Sequence, residues 1–394
     1  MDQSIDSLSG GELQRVALAA TLARDADFYF VDELTPYLDI GQRVTAARIV
    51  RELAEEEDRA VLVVEHDLAV LDMLADSIHV AYGDPSVYGV VTTPKSVRNG
   101  INEYLRGYLD NENMRIRPEA ITFEEHAPRP ASRQETLISY PDMAKSYGEG
   151  EFTLTVDGGD IHRNEVLGVV GPNGIGKSTF AKLLAGDLEP TTVGGEADDD
   201  LDVGLDIAYK PQYVEADQHM RVDAFLSSIT DDFGTSYWNT EIGDPLQLER
   251  ILEQNLTDLS GGSASASPSP RRCRRTPTST SSTSPRRTST SSSACSPRAI
   301  RRFAENRETT VMVIDHDIYM VDLAADRLMV FDGEPAQHGR ASTPQAMRSG
   351  MNEFLANLDV TFRRDENLGR PRINKPGSQL DKQQKRDGEY YYTN

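Results

Sequence analysis

The 394-residue chain has two cysteines, Cys273 and Cys295. Two thiols cannot furnish a four-cysteine zinc or iron–sulfur site, so no iron–sulfur cluster is expected in this chain. A run of eighteen apolar residues is missing, and so is a signal-like N-terminus. No membrane partner is therefore expected, and the chain reads as soluble, intracellular and cytoplasmic. Positive charge is scarce as well: 41 lysines and arginines stand against 64 aspartates and glutamates, a net charge of -23. That balance disfavours non-specific contact with nucleic acid, and DNA is not an expected partner. The length leaves room for two or more domains.

Against these absences stands one dense motif, Val166 to Phe180, reading VLGVVGPNGIGKSTF. The valine-rich run Val166 to Val170 has the character of a buried parallel strand. It feeds into Gly171, Pro172, Asn173, Gly174, Ile175, Gly176, Lys177, Ser178 and Thr179, the spacing GxxxxGK[ST]. Glycines let such a loop turn its backbone N–H groups toward phosphate oxygens, and the helix opening at Lys177 adds the positive end of its dipole. Lys177 would reach the terminal phosphates of a nucleotide such as ATP, and the Ser178 hydroxyl would sit on Mg²⁺.

The chain opens on SLSGGELQR, Ser7 to Arg15. Ser9, Gly10 and Gly11 precede a helical pattern carrying Leu13, Val16, Ala17 and Ala20 near one face, and a serine with two glycines at a helix start is itself an anion-binding arrangement. LSGGELQR resembles the signature of ABC-type ATPases. That resemblance implies contact with the γ-phosphate of ATP held by an opposite nucleotide-binding domain. Phe28 to Val31 then reads as a core strand ending in Asp32 and Glu33. The resemblance gives Asp32 to Mg²⁺ and Glu33 to the attacking water, makes Leu38 and Asp39 a D-loop, and makes His66, after the strand Val61 to Val64, the switch histidine. No phosphate-binding loop fits before Leu8, so the first ATPase core is expected to be only the C-terminal part of one. Further on, Tyr147 is a stacking partner for adenine or a packing tyrosine. Tyr209 to Tyr213 resembles the Q-loop, which puts Gln212 in the Mg²⁺ and water network. A second LSGG supplies Ser260, Gly261 and Gly262.

The motifs repeat at an interval of 250 or 251 positions. His66 and His316 lie 250 positions apart, as do GINEYL from Gly100 and GMNEFL from Gly350, while the two signatures lie 251 apart. The expected fold is therefore α/β, two ABC-type nucleotide-binding domains in tandem with the first incomplete. The expected bounds are 1–106 for the first, 107–135 for a hinge carrying little core, 136–345 for the second, and 346–394 for a C-terminal hinge and tail.

One stretch breaks the pattern. From Leu259 to Ala304 there is no aspartate or glutamate, and Ser263 to Pro297 is almost wholly Ser, Thr, Pro, Arg and Ala. A flexible low-complexity insert is the ordinary reading. It conflicts with the register, because Thr276 to Pro285 (TPTSTSSTSP) falls where Asp25 to Leu34 (DADFYFVDEL) falls in the first copy. A frame-shifted reading removes the conflict. Written in GC-rich codons and shifted by one nucleotide, TPTSTSSTSP becomes DADLYLLDEP, the missing acidic strand. As written, Thr283 and Ser284 stand where Asp32 and Glu33 stand in the first copy.

The tail carries Arg363, Arg364, Arg370, Arg372 and Lys375, a basic stretch suited to RNA phosphate, to an acidic face of the other domain, or simply to solvent. GMNEFL, TFRRD and RPRINK together resemble the C-terminal hinge of the ribosome-recycling twin ABC ATPases of archaea and eukaryotes, the RNase L inhibitor family. Its N-terminal ferredoxin-like domain and first phosphate loop are not in this sequence. The resemblance implies ATP-driven closure that splits ribosomal subunits, with a ribosomal subunit and a termination factor as partners. It also implies a composite site of Lys177, Ser178, Gln212 and His316 with Ser9, Gly10 and Gly11. Three other readings stay open: a nucleotide-binding module without turnover, the ATPase subunit of a membrane transporter, and the product of a misread gene.

Overall fold

The computed structural model describes residues 8–56, 59–84, 87–118, 120–123, 135–148, 151–197, 207–210, 220–244, 246, 248–256, 279–283 and 296–391. The first half is built from helix α1 (Gly10–Leu22), strand β1 (Phe28–Asp32), helix α2 (Ile40–Glu56), strand β2 (Ala60–Val64), and helices α3 (Leu68–Leu74) and α4 (Val97–Arg106). β1 and β2 pair in parallel, with Phe28 opposite Ala60 and Asp32 opposite Val64. Alternate residues of a strand point to opposite faces. Val31 accordingly packs with Leu34, Leu38, Ala47 and Val50. The reading of Phe28 to Val31 as a core strand holds on the face of Tyr29 and Val31 and is corrected on the other, where Phe28 and Phe30 are 56% and 53% exposed. In the second half the corresponding face is covered: Met312 and Ile314 cluster with Phe180, Leu183 and Leu184.

The second half is organised on a parallel run of five strands within an eleven-stranded sheet of described residues. In chain order its central elements are β3 (Val166–Val170), α5 (Lys177–Leu184), β4 (Ile207–Lys210), β5 (Ser279–Thr283), β6 (Thr310–Ile314), α6 (Ile318–Ala324) and β7 (Arg327–Glu334). Their order across the sheet is β4, β5, β6, β3, β7. All five residues of β3 and of β6 are buried, as parallel strands covered on both faces must be.

β5 is the serine- and threonine-only segment. Its backbone pairs with β6, Ser279 opposite Thr310 and Thr283 opposite Ile314. This is the β1–β2 pairing shifted by one repeat, so Thr283 takes the place of Asp32. Ladder hydrogen bonds come from the backbone and are indifferent to side-chain identity, which lets an apolar-free segment hold a central position.

Helix α7 (Met347–Asn357) and the antiparallel strands β8 (Phe362–Arg364) and β9 (Pro371–Ile373) complete the fold. One buried cluster joins both halves and the tail, with Val44, Ile101, Phe123, Val321, Phe354 and Phe362 among its members. The segment 107–135 contributes to it more than its prolines suggested: Ile121 and Phe123 are members, and Leu109 nearby in the segment is buried as well.

Candidate functional site

β3 delivers the chain into a loop whose shape depends on glycine at two points. Gly171 sits at φ 148°, where a Cβ would come within 2.5 Å of the Phe331 carbonyl. Gly176, at φ 102°, precedes α5, and a Cβ there would meet Leu154 at 3.0 Å. Gly174, at φ 72°, is exposed. Lys177 turns back into this loop, donating to the Gly171 carbonyl at 2.8 Å and also to that of Pro172. Burial pushes its ammonium down to about 7, opposed by the Asp39 carboxylate. Ser178 is exposed on the first turn of α5 and Thr179 is half-buried beside it. The loop thus fits a phosphate chain: Lys177 is held by loop carbonyls and the Ser178 hydroxyl faces outward.

Asn173 leaves the loop toward the first half. Its backbone N–H donates to Asp39 Oδ2 at 3.1 Å and its side-chain amide donates to the Tyr37 carbonyl at 3.0 Å. Tyr37, at φ 63°, is in turn packed on the first signature. A Cβ at Gly10 would lie 3.1 Å from the Tyr37 ring, and one at Gly11 would lie 2.8 Å from the Tyr37 carbonyl oxygen. Ser9 N-caps α1 in a capping box, its hydroxyl donating to Glu12 Oε2 at 2.7 Å. In this state the Ser9 hydroxyl proton is committed to its own helix, so contact with a phosphate requires it to swing away from Glu12.

Asp32 ends β1 on an exposed face, and Glu33, at φ 56°, follows it. The Glu33 carbonyl accepts from the Gln14 side chain at 2.8 Å, and its carboxylate lies 3.5 Å from His66 Nε2. Two residues that sequence reasoning did not single out hold this region. Glu65 accepts from the backbone N–H groups of Leu34 and Thr35 at 3.1 and 3.0 Å, fixing the turn after Glu33. Arg43 donates to the Leu38 carbonyl at 2.8 Å and to Asp67 Oδ2 at 2.7 Å. The only sequence signal for either is its place beside a motif.

His316 lies on the second-half side of the same junction. Its Nδ1 is buried with no hydrogen-bond partner among the described residues. Burial, followed by the positive charges of Lys177 and Arg43, holds its pKa well below the ordinary imidazole value. The structure therefore gathers Lys177, His316, Asn173, Asp39, Arg43 and Tyr37, with Gly10 and Gly11 behind Tyr37. Asp32, Glu33 and His66 form a second group. Gln212, Ser260, Gly261, Gly262 and Ser284 lie outside the described residues, as do Cys273 and Cys295. Tyr147 is 37% exposed, 6.2 Å from the Phe152 ring and capped by Lys145 at 5.8 Å, so both readings of it stand.

An ABC transporter family model matches residues 156–266, ending inside the acid-free stretch. Over 393 residues the chain is 47% identical to an uncharacterized ABC transporter ATP-binding protein of Methanocaldococcus jannaschii, covering 100% of this chain and 64% of that one. It is 39% identical over 408 residues to translation initiation factor RLI1 of Saccharomyces cerevisiae, again covering 100% and 64%. The chain thus spans less than two-thirds of the length of these curated relatives. A crystal structure of archaeal ribosome recycling factor aABCE1 in complex with archaeal ribosomal stalk protein aP1 superposes with a TM-score of 0.88 at 47% identity, covering 100% of this chain and 74% of that one. The chain belongs to the ABCE1, or RNase L inhibitor, family of twin ABC ATPases.

Membership in the ABCE1 family implies ATP and Mg²⁺ as ligands. Among the described residues no group of three or more His, Cys, Asp or Glu side chains is arranged to hold a metal ion by itself. Nor is any described helix long and apolar enough to cross a membrane.

Proposed function

We propose that this chain binds Mg²⁺–ATP in a composite site between its halves and carries the nucleotide-driven closure by which ABCE1-type proteins engage the ribosome. The observation that carries the reading is Asn173. A residue of the phosphate loop of one half hydrogen-bonds both to Asp39 and to the Tyr37 carbonyl of the other, so nucleotide and inter-half contact share one loop. In this reading Gly171, Pro172, Asn173, Gly174, Gly176, Lys177, Ser178, Thr179 and Gln212 hold ATP from the second half. Ser9, Gly10 and Gly11 close on it from the first, and His316 senses the γ-phosphate. Asp32, Glu33 and His66 serve the other site, with Ser260, Gly261 and Gly262 facing them. A ribosomal subunit and a termination factor are the proposed partners, and the cytoplasm the proposed location.

Turnover is a separate matter, because Thr283 occupies the place of Asp32 in the second half. That observation favours nucleotide binding without hydrolysis for the polypeptide as written, and a frame-shifted stretch as its cause. The DNA encoding Ser263 to Pro297, read in the neighbouring frame, should give an acidic, apolar strand; no such strand in either alternative frame removes the explanation. The proposed function is tested by cosedimentation with archaeal small ribosomal subunits in the presence of a non-hydrolysable ATP analogue. Retention that depends on the analogue and is lost in Lys177→Ala supports it. Retention indifferent to both overturns it.

A further inference from the structure

From sequence the tail arginines read as a surface for RNA, as a partner for an acidic face of the other domain, or as a solvated tail. Arg370 is fully buried, and Arg372 is largely so. Arg372 grips Asp72 of α3 through two hydrogen bonds of 2.8 Å. Arg370 donates from Nε to Asn102 of α4 at 3.1 Å. Its Nη1 then does two things at once, donating to the Tyr319 hydroxyl at 3.0 Å and lying 3.4 Å from Asp72 Oδ2. Asp72 belongs to α3 and Tyr319 to α6, so one nitrogen of the tail touches an element from each half.

The positions of those two helices give the contact its meaning. α3 is N-capped by Asp67, the residue after His66, and α6 is N-capped by Asp317, the residue after His316. Each is a seven-residue helix, about 10 Å long at 1.5 Å per residue, so each histidine loop lies within two turns of the tail contact. Stability alone does not call for such a device, since an apolar side chain of similar volume commonly replaces a buried ion pair without loss. What the guanidinium adds is a fixed geometry, because its planar fork accepts partners only in set directions. We infer that Arg370 is a positioning residue that ties the loop carrying His66 to the loop carrying His316, so that a shift in either loop is carried to the other. The bearing of this link on nucleotide binding rests on the proposed reading of both histidines; the link itself does not.

The test uses the full chain with isotope-labelled histidine rings, the His66 and His316 signals being assigned through His66→Gln and His316→Gln. Tyr319→Phe removes only a hydroxyl, in the second half, and should move the His66 signal by more than its linewidth. Asp72→Asn, in the first half, should move the His316 signal. In an Arg370→Met background both cross-effects should vanish. Substitutions that move only the histidine of their own half overturn the inference, and so do cross-effects that persist undiminished in Arg370→Met. If Arg370→Met does not fold, the Tyr319→Phe measurement decides alone. Adding ATP to the same samples separates the two claims: a His316 signal that ignores ATP removes the nucleotide reading and leaves the link standing.

Discussion

Asn173 and Asp39 meet across the two halves of the chain, the backbone N–H of the first donating to a carboxylate oxygen of the second at 3.1 Å. The Asn173 side chain adds a hydrogen bond to the Tyr37 carbonyl at 3.0 Å, and Tyr37 is the residue on which Gly10 and Gly11 rest. The loop after β3 is thereby joined to the first signature through one intermediate residue. Asn173→Ala removes the side-chain bond and leaves the backbone bond. One such bond is worth about 0.5–1.5 kcal/mol. ATP affinity should fall roughly two- to twelvefold, measured by titration with a fluorescent ATP analogue. Unchanged affinity would show that closure does not depend on this contact.

Lys177 predicts a pH dependence whose sign can be fixed. Burial lowers its pKa from 10.5 to about 7 in the folded chain. Between those values the unfolded chain holds a proton that the folded chain has lost, so the lysine's contribution to stability rises with pH through this window. The penalty for burying the charged form is greatest at and below pH 7. Lys177→Met should accordingly exceed the parent in thermal stability at pH 7, with the gap closing toward pH 10. Bound phosphates should restore the charge, so ATP binding at pH 8 should take up a proton, visible as a calorimetric enthalpy that changes between buffers of different ionisation enthalpy. A gap constant with pH would show that Lys177 stays charged in the free protein.

The parts of this fold legible in the sequence are those governed by spacing along the chain. Val166 to Phe180 fixes a strand, a loop and the start of a helix within fifteen residues, and all three are present. The repeat interval placed Thr276 to Pro285 opposite Asp25 to Leu34 where composition argued for an insert, and the backbone of β5 pairs there as β1 pairs with β2. Contacts between residues far apart in sequence were not legible. Nothing local marks Asn173 as the partner of Asp39, or Arg372 as the partner of Asp72. Phe28 and Phe30 read as core because a strand pattern does not say whether both faces will be covered. Ile121 was passed over because prolines nearby suggested a linker, yet it is 4% exposed in the main core.

The composition of β5 carries a stability prediction. It lies between β4 and the fully buried β6, where large apolar side chains are the norm, and offers only serine and threonine. Replacing Ser279 to Thr283 with the residues of Phe28 to Asp32 supplies four large side chains at about 1.5–3 kcal/mol each when buried. For a domain of this size each kcal/mol raises the melting temperature by roughly 2–4 °C. A rise of that order is expected in calorimetry, together with slower cleavage between Ser263 and Arg298 in limited proteolysis. No rise would mean that the native strand is already matched to its surroundings.

The same strand sets the expectation for catalysis: this polypeptide should bind ATP and fail to turn it over at a useful rate. The binding loop is intact in sequence and shape, so Lys177→Ala should abolish the affinity that exists. Phosphoryl transfer needs more, namely held Mg²⁺ and an oriented water. In the second half Thr283 stands at the strand end where the first half has Asp32, and the residue after it is Ser284 rather than a glutamate. Neither hydroxyl carries the charge that draws a metal ion or accepts a proton from water. Loss of a positioned base alone costs about 10²–10⁴ in rate, and the metal-binding carboxylate is lost with it. His316 is not expected to compensate, because burial, and then the positive charges of Lys177 and Arg43, oppose its taking up a proton. The measurement is steady-state ATP hydrolysis by the chain as written against a version whose frame is restored from Ser263 to Pro297. Restoration should raise hydrolysis by two orders of magnitude or more, on the order expected for a positioned base. Equal rates in both, abolished by Lys177→Ala, would show that another carboxylate serves this site and that β5 is not where the defect lies.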